Sequence, residues 1–256
     1  MVIVRSVVAL AASSGWYIFQ MDVHNVFLQG GLNENLYMVV PEIMDEALIV
    51  VLVYVDDLLV TSSTLVHIQK TRKILKSKFK MKDLGELKYF LGIGFFRSKK
   101  GIYMCQRKYA LELVSQMGLS GIKPAETPLE FNHKLTSLEF DKEIKPKNLA
   151  HDKLLENRGA YQRIIGKLIY LTLTRTDLLF VVQALSQHMN APKQSHLDAA
   201  TGVVRYIKRT TGLDLLLSAN GELNLVVYYD SDWASYVETR RSVTGNLVKF
   251  GEALIS

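Results

Sequence analysis

One stretch constrains this chain more than any other: the apolar run from Ala47 to Val55, broken by Asp56 and Asp57 and resumed at Leu58. Its β-branched and aliphatic residues show no helical period, so Ala47 to Val55 reads as a buried strand. Leu58 to Thr61 reads as a second strand, which places Asp56 and Asp57 at the tip of a tight hairpin. Adjacent carboxylates repel each other and resist burial. A pair of them after a greasy strand has two readings: a solvated turn, or ligands for divalent metal. Phosphoryl transfer with two Mg²⁺ ions about 3.5–4 Å apart needs several carboxylates at one point.

A third carboxylate bears on that choice. Trp16 to Val23 reads as a strand with Asp22 near its end. Such a strand beside the hairpin can bring Asp22, Asp56 and Asp57 together, although Asp22 alone is also an ordinary strand-ending turn residue. The remaining pattern is mixed. Helices are expected over Val2 to Ser14 (ended by Gly15), Leu65 to Phe79, Tyr109 to Met117, Ala160 to Leu173, Thr176 to Met189 and His196 to Thr210. A turn is expected at Gly30-Gly31. Hairpins are expected around Ser98 to Gly101 and around Asn220-Gly221, with a last strand over Ser242 to Phe250.

Composition narrows the class. Hydrophobic residues make up 48% and charged residues 22%, enough for a buried core. The net charge of +6 and pI of about 9.2 suit a nucleic-acid partner, and also many ordinary soluble proteins. The single cysteine, Cys105, excludes an internal disulfide framework or cysteine-based zinc site and suggests a reducing compartment. Cys105 itself is expected as a small core residue. The start lacks signal-peptide character. The most apolar segment is too short and too charged for a bilayer, which needs about 20 apolar residues, so no membrane partner is expected.

Several motifs now fall in order. Met21-Asp22-Val23-His24-Asn25-Val26-Phe27-Leu28-Gln29-Gly30, with Leu36-Tyr37-Met38 and Pro41 beyond it, and Val53-Tyr54-Val55-Asp56-Asp57-Leu58-Leu59 resemble the two catalytic motifs of copia-type retrotransposon reverse transcriptases. Phe79 to Ile93 resembles their primer-supporting segment. Tyr161 to Thr172, with Thr174-Arg175-Thr176-Asp177, resembles the thumb and connection side. Tyr229-Asp230-Ser231-Asp232-Trp233-Ala234, with Arg240 to Gly245, resembles the entry into ribonuclease H.

The resemblance implies an α+β fold: a partial reverse-transcriptase palm and thumb with connection, ending in the first strands of a ribonuclease H-like sheet. It divides the chain into 1–123 (partial fingers, palm and primer grip), 124–157 (linker or loop), 158–220 (helical thumb and connection) and 221–256 (truncated ribonuclease H-like start). It implies RNA-directed DNA polymerase chemistry within a Pol polyprotein, in a cytoplasmic retroelement particle. Asp22, Asp56 and Asp57 would hold two Mg²⁺ (or Mn²⁺) ions. Phe27 would lie under the incoming sugar, or else serve as an ordinary core residue. Leu91 and Gly92 would lie near the primer grip. Asp230 would be the first ribonuclease H carboxylate, with Asp232 the second choice. The partners implied are an RNA template, a DNA primer (as RNA–DNA hybrid) and deoxynucleoside triphosphates.

This copy departs from the pattern. Only 33 residues separate Asp22 from Asp56, where the family has a longer segment with a Tyr-Gly-Leu-Lys-Gln motif and a palm helix. Nothing between Val39 and Glu46 resembles it. Val26 stands where the family has a small residue, and Ser256 comes before the remaining ribonuclease H carboxylates. The expectation is a shortened copy without polymerase activity. The alternatives are a non-catalytic remnant binding nucleic acid through basic helices, or a gene-model fragment. The Lys70 to Lys82 run would contact phosphates without reading sequence, or form a solvated helix face. Arg205, Lys208 and Arg209 pose the same choice. His188 and His196 lack zinc spacing and read as surface or capping residues, and Trp233 as packed against a sheet.

Overall fold

The computed structural model describes residues 1–24, 48–129, 135–144, 152–220, 223–234, 236 and 238–256. It is an α+β structure that divides into two compact units. One comprises Met1–Met104, Leu216–Tyr228 and Leu247–Ser256; the other comprises Cys105–Leu215 and Tyr229–Asn246.

In the first unit, helix α1 (Val2–Ser13) stops where Gly15 takes a left-handed φ of +66°. Strands β1 (Tyr17–Val23), β2 (Ile49–Tyr54), β3 (Asp57–Ser62) and β4 (Met81–Glu86) form a sheet in the order β2-β3-β1-β4. All its neighbours run antiparallel. Helix α2 (Leu65–Lys78) covers one face, where Ile68 packs among Met21, Val23, Leu58 and Val60. Helix α1 contacts β1 and β2, and the opposite sheet face carries buried Ile18 and Leu59. Strand β4 is invisible to hydropathy because its residues, Met-Lys-Asp-Leu-Gly-Glu, are mostly polar. Pairing with β1 makes it a strand.

A second sheet joins β5 (Tyr89–Phe90), β6 (Ile93–Ser98), β7 (Gly101–Cys105) and β8 (Leu215–Ser218) in that order. At Gly101 a Cβ would come within 2.1 Å of the Leu217 carbonyl oxygen, so only glycine allows β7 and β8 this close. This pairing corrects the hairpin expected around Asn220-Gly221, whose Gly221 lies outside the described residues. Strand β8 adds to β7, whereas β9 (Leu225–Asp232) joins β10 (Val243–Phe250) and β11 (Ala253–Leu254) in the order β11-β10-β9. The turn expected at Gly30-Gly31 also lies outside the described residues.

The second unit is helical. Helices α3 (Arg107–Gln116), α4 (Leu138–Ile144), α5 (Arg158–Leu171), α6 (Leu179–Ser186) and α7 (Gln194–Arg209) are present. Its core gathers Leu113, Ile165, Leu168, Val182, Leu185, Val203 and Ile207. Buried Tyr161 donates its hydroxyl to the Leu185 carbonyl at 2.8 Å. Arg175 grips Asp177 through Nε and Nη2 at 2.9 and 2.7 Å, and donates to the Thr210 carbonyl at 3.0 Å. That ties the turn before α6 to the end of α7.

The described parts of 124–157 dock rather than hang free. Lys193, buried before α7, pairs with Asp141 of α4 and with Asp152 at 2.9 Å. Asp152 also accepts from Ser195 N and Oγ at 3.0 and 2.8 Å, serving the start of α7.

Three further expectations are corrected. His188 and His196 are buried, with rings stacked 4.0 Å apart, so neither is a surface residue. His196 does cap: its Nδ1 accepts from Lys193 N at 3.1 Å. Trp233 is 90% exposed instead of packed. Cys105 is half-buried, and burial with the Asp214 carboxylate raises its thiol pKa.

Candidate active site

Strand register assembles the carboxylates. Asp22 and Asp57 are direct partners across β1 and β3, and directly opposed residues of an antiparallel pair share a sheet face. Tyr54 is paired with Asp57, so the hairpin tip is Val55-Asp56, and Asp57 begins β3 instead of sitting at the tip. Val55 adopts a φ of +54°, a conformation β-branched residues rarely take. The Asp56 carbonyl accepts from Val23 N at 2.8 Å, fastening the tip to the strand that carries Asp22.

The side chains are less gathered than the backbone. Gln20 Nε2 donates to Asp57 Oδ1 at 3.3 Å. Asp56 Oδ1 is buried with no hydrogen-bond partner among the described residues. Among the described residues, no group of three or more His, Cys, Asp or Glu side chains is arranged to hold a metal ion. Sequence reasoning misses Gln20, although its signal is present. It stands two residues before Asp22, and period-2 alternation puts both on one face.

The second hairpin of interest turns at Leu91-Gly92. Tyr89 pairs with Gly94 and Phe90 with Ile93. Both turn residues are left-handed, at φ +50° and +76°, as a tight two-residue hairpin of this kind requires. Phe27 and Val26 lie outside the described residues. Asp230 and Asp232 are exposed on β9.

The basic residues sort into paired and exposed. On α2, Arg72 and Lys76 both reach Asp83, Lys76 at 2.8 Å, and the Arg72 guanidinium lies 4.4 Å from the centre of the Phe19 ring. Burial raises the Asp83 pKa, but hydrogen bonds from Lys76, Arg72 and Gly85 N outweigh it and hold the carboxyl at about 2. Lys70, Lys73, Lys78 and Lys80 are exposed. On α7 the basic residues hold their own chain. Arg205 donates to the Lys123 carbonyl at 2.9 Å, Lys208 donates to those of Ser120 and Ile122 at 2.7 Å, and Arg209 pairs with Glu126 at 3.3 Å.

The family model for reverse transcriptase (RNA-dependent DNA polymerase) matches residues 43–131. The Pol polyprotein of transposon RE2 from Arabidopsis thaliana is 30% identical over 99% of this chain and 20% of its own length. That of transposon TNT 1-94 from Nicotiana tabacum is 26% identical over 99% of this chain and 23% of its own length. The chain belongs to the copia-type retrotransposon reverse transcriptases.

This reverse-transcriptase region spans about a fifth of the length of the Pol polyproteins it matches. An uncharacterized mitochondrial protein of Arabidopsis thaliana is also 35% identical over 80% of each chain. No solved structure matches the chain. The family match takes in Asp56, Asp57, Leu91 and Gly92 and begins after Asp22. The alignment with the RE2 polyprotein runs to 306 positions against 256 residues here, so the relative carries residues that this chain lacks.

Proposed function

We propose that this chain is a shortened RNA-directed DNA polymerase that keeps a cation-binding carboxylate hairpin and a nucleic-acid-binding helix but does not extend a primer. The observation that carries the reading is the surplus of positions in the relative, combined with the short passage from Asp22 to Asp56. A polymerase must hold template, primer and nucleotide at once, since positioning supplies most of its catalysis. Strand β2, expected from its sequence to be buried, instead exposes the face that bears Ile49, Val51 and Val53, consistent with a palm missing part of its cover.

The donor set suits a divalent cation. Carboxylate oxygens are the donors Mg²⁺ and Mn²⁺ prefer. Asp22 and Asp57 share a face, and Asp56 Oδ1 is a buried oxygen in need of a partner. Asp22, Asp56 and Asp57 are the residues that would hold the ions, which in an intact polymerase activate the primer hydroxyl and steady the leaving pyrophosphate. Phe27 is assigned to the nucleotide sugar, and Leu91 and Gly92 to the primer end. Asp230 is assigned as a ribonuclease H-like carboxylate. Lys70, Lys73, Lys78 and Lys80 are assigned to the phosphates of an RNA–DNA hybrid, because Arg72 and Lys76 are already drawn to Asp83.

Primer extension on an RNA template with Mg²⁺, beside an Asp56→Ala control, tests the reading. The folded chain is expected to yield no extended product. Extension that disappears in the control would overturn the loss of activity. Sequencing the transcript across residues 39–46 checks that the short passage is encoded and not an error of the gene model.

A further inference from the structure

We infer that Gln20 is a positioning residue for Asp57, holding one carboxylate oxygen so that the other is left for a divalent cation. The inference rests on the cation-binding reading of the hairpin and deepens it. Gln20 pairs with Leu59, and Asp22 with Asp57. Gln20 therefore lies diagonal to Asp57 on the face that Asp22 also occupies. Its Nε2 donates to Asp57 Oδ1 at 3.3 Å.

The placement is costly unless it is used. Gln20 is only 7% exposed, beside buried Ile18 and Leu59, at a position where an aliphatic side chain would pack without polar atoms to satisfy. A buried amide is tolerated when its hydrogen bonds are made. On its other flank Gln20 faces Gly85 of β4, which has no side chain to compete for the amide.

The choice of a neutral donor matters. A lysine or arginine here would cancel the carboxylate's charge and compete with a cation. An amide fixes the orientation of the carboxylate and leaves its charge available. Groups that orient metal-binding carboxylates in this way affect affinity about 10–100-fold when removed.

The test measures Mn²⁺ binding to the full chain by the loss of the free-ion paramagnetic resonance signal. The wild type is compared with Gln20→Met, Asp22→Asn, Asp57→Asn and the double variant Gln20→Met/Asp57→Asn, with a thermal melt of each. The expected result is wild-type binding that Asp22→Asn and Asp57→Asn both weaken. Gln20→Met is expected to weaken it about 10-fold or more, with no further loss when it is added to Asp57→Asn. Equal affinity in Gln20→Met, or the same loss in both backgrounds, would overturn the role of Gln20 while leaving the cation site standing. Absence of Mn²⁺ binding in the wild type would overturn the cation reading and this inference together. If Gln20→Met does not melt cooperatively, Gln20→Asn, whose amide falls one methylene short, carries the same expectations.

Discussion

Asp22 and Asp57 stand directly opposite each other across the β1–β3 ladder, so two carboxylates occupy neighbouring positions on one sheet face. Like charges in such pairs destabilise a sheet by a few tenths of a kcal/mol up to about 1 kcal/mol. Asp57→Asn is therefore expected to raise stability by about 0.5 kcal/mol in a chelator. The gain should vanish or reverse with Mg²⁺ present. Urea unfolding in the two buffers measures both signs.

Val55 occupies the left-handed region at the hairpin tip, which costs an L-residue roughly 1–2 kcal/mol. Its side chain is largely exposed, so little packing is lost on replacement. Asparagine tolerates this conformation without glycine's entropy cost. Val55→Asn is expected to stabilise the chain by about 1 kcal/mol, seen as a higher midpoint in urea with an unchanged slope.

The His188–His196 stack makes stability depend on pH. Burial, then the neighbouring His188 and Lys193, lower the His196 pKa to about 4 from 6.5. His196 is neutral in the fold: Nδ1 accepts from Lys193 N, and Nε2 lies 3.1 Å from the Thr136 carbonyl, to which it donates. Between these pH values the unfolded chain binds more protons than the folded one. The contribution is therefore full above pH 6.5 and lost as the pH falls from 6.5 to 4, a loss on the order of 3 kcal/mol. His188, also lowered by burial, acts with the same sign. Asp83 acts in a separate window: its stabilisation is lost as the pH falls from 3.8 through about 2. Urea unfolding at stepped pH should show the slope between 6.5 and 4, and His196→Gln should flatten it.

Lys70 and Lys73 lie exposed on one side of α2, whereas Lys208 is held by two carbonyls of its own chain. Lys70→Glu with Lys73→Glu should weaken binding to an RNA–DNA hybrid. It should also reduce the slope of log affinity against log salt by about 2. Lys208→Ala should leave that slope unchanged. Fluorescence anisotropy across a salt series distinguishes them.

Arg175 is buried, grips Asp177 with two nitrogens and donates to Thr210. Lysine cannot reproduce that fork. Arg175→Lys should cost about 2–3 kcal/mol, because buried hydrogen-bond partners lose their donors. Chemical denaturation read on helix content checks it.

Local pattern in the amino-acid sequence is sufficient for α1, α2, the three helices after residue 157, and the strand–turn–strand around Asp56. Each declares its period within a few residues, so the carboxylate hairpin and its neighbour Asp22 are legible in the residues alone. Tertiary contacts decided the rest. β4 is a strand because β1 offers it an edge, while its own polar residues argue against one. β8 pairs with β7, more than 100 residues earlier, because Gly101 lets the two backbones approach, and not with β9. Lys193 and the two histidines look like solvent residues in sequence, yet they are buried. Asp141 and Asp152 supply the opposite charge to Lys193, and the stack shelters the imidazoles. A period shows which face of an element is apolar. Which distant segment covers that face, and which charge meets which, depends on closing long loops, and that only the fold settles.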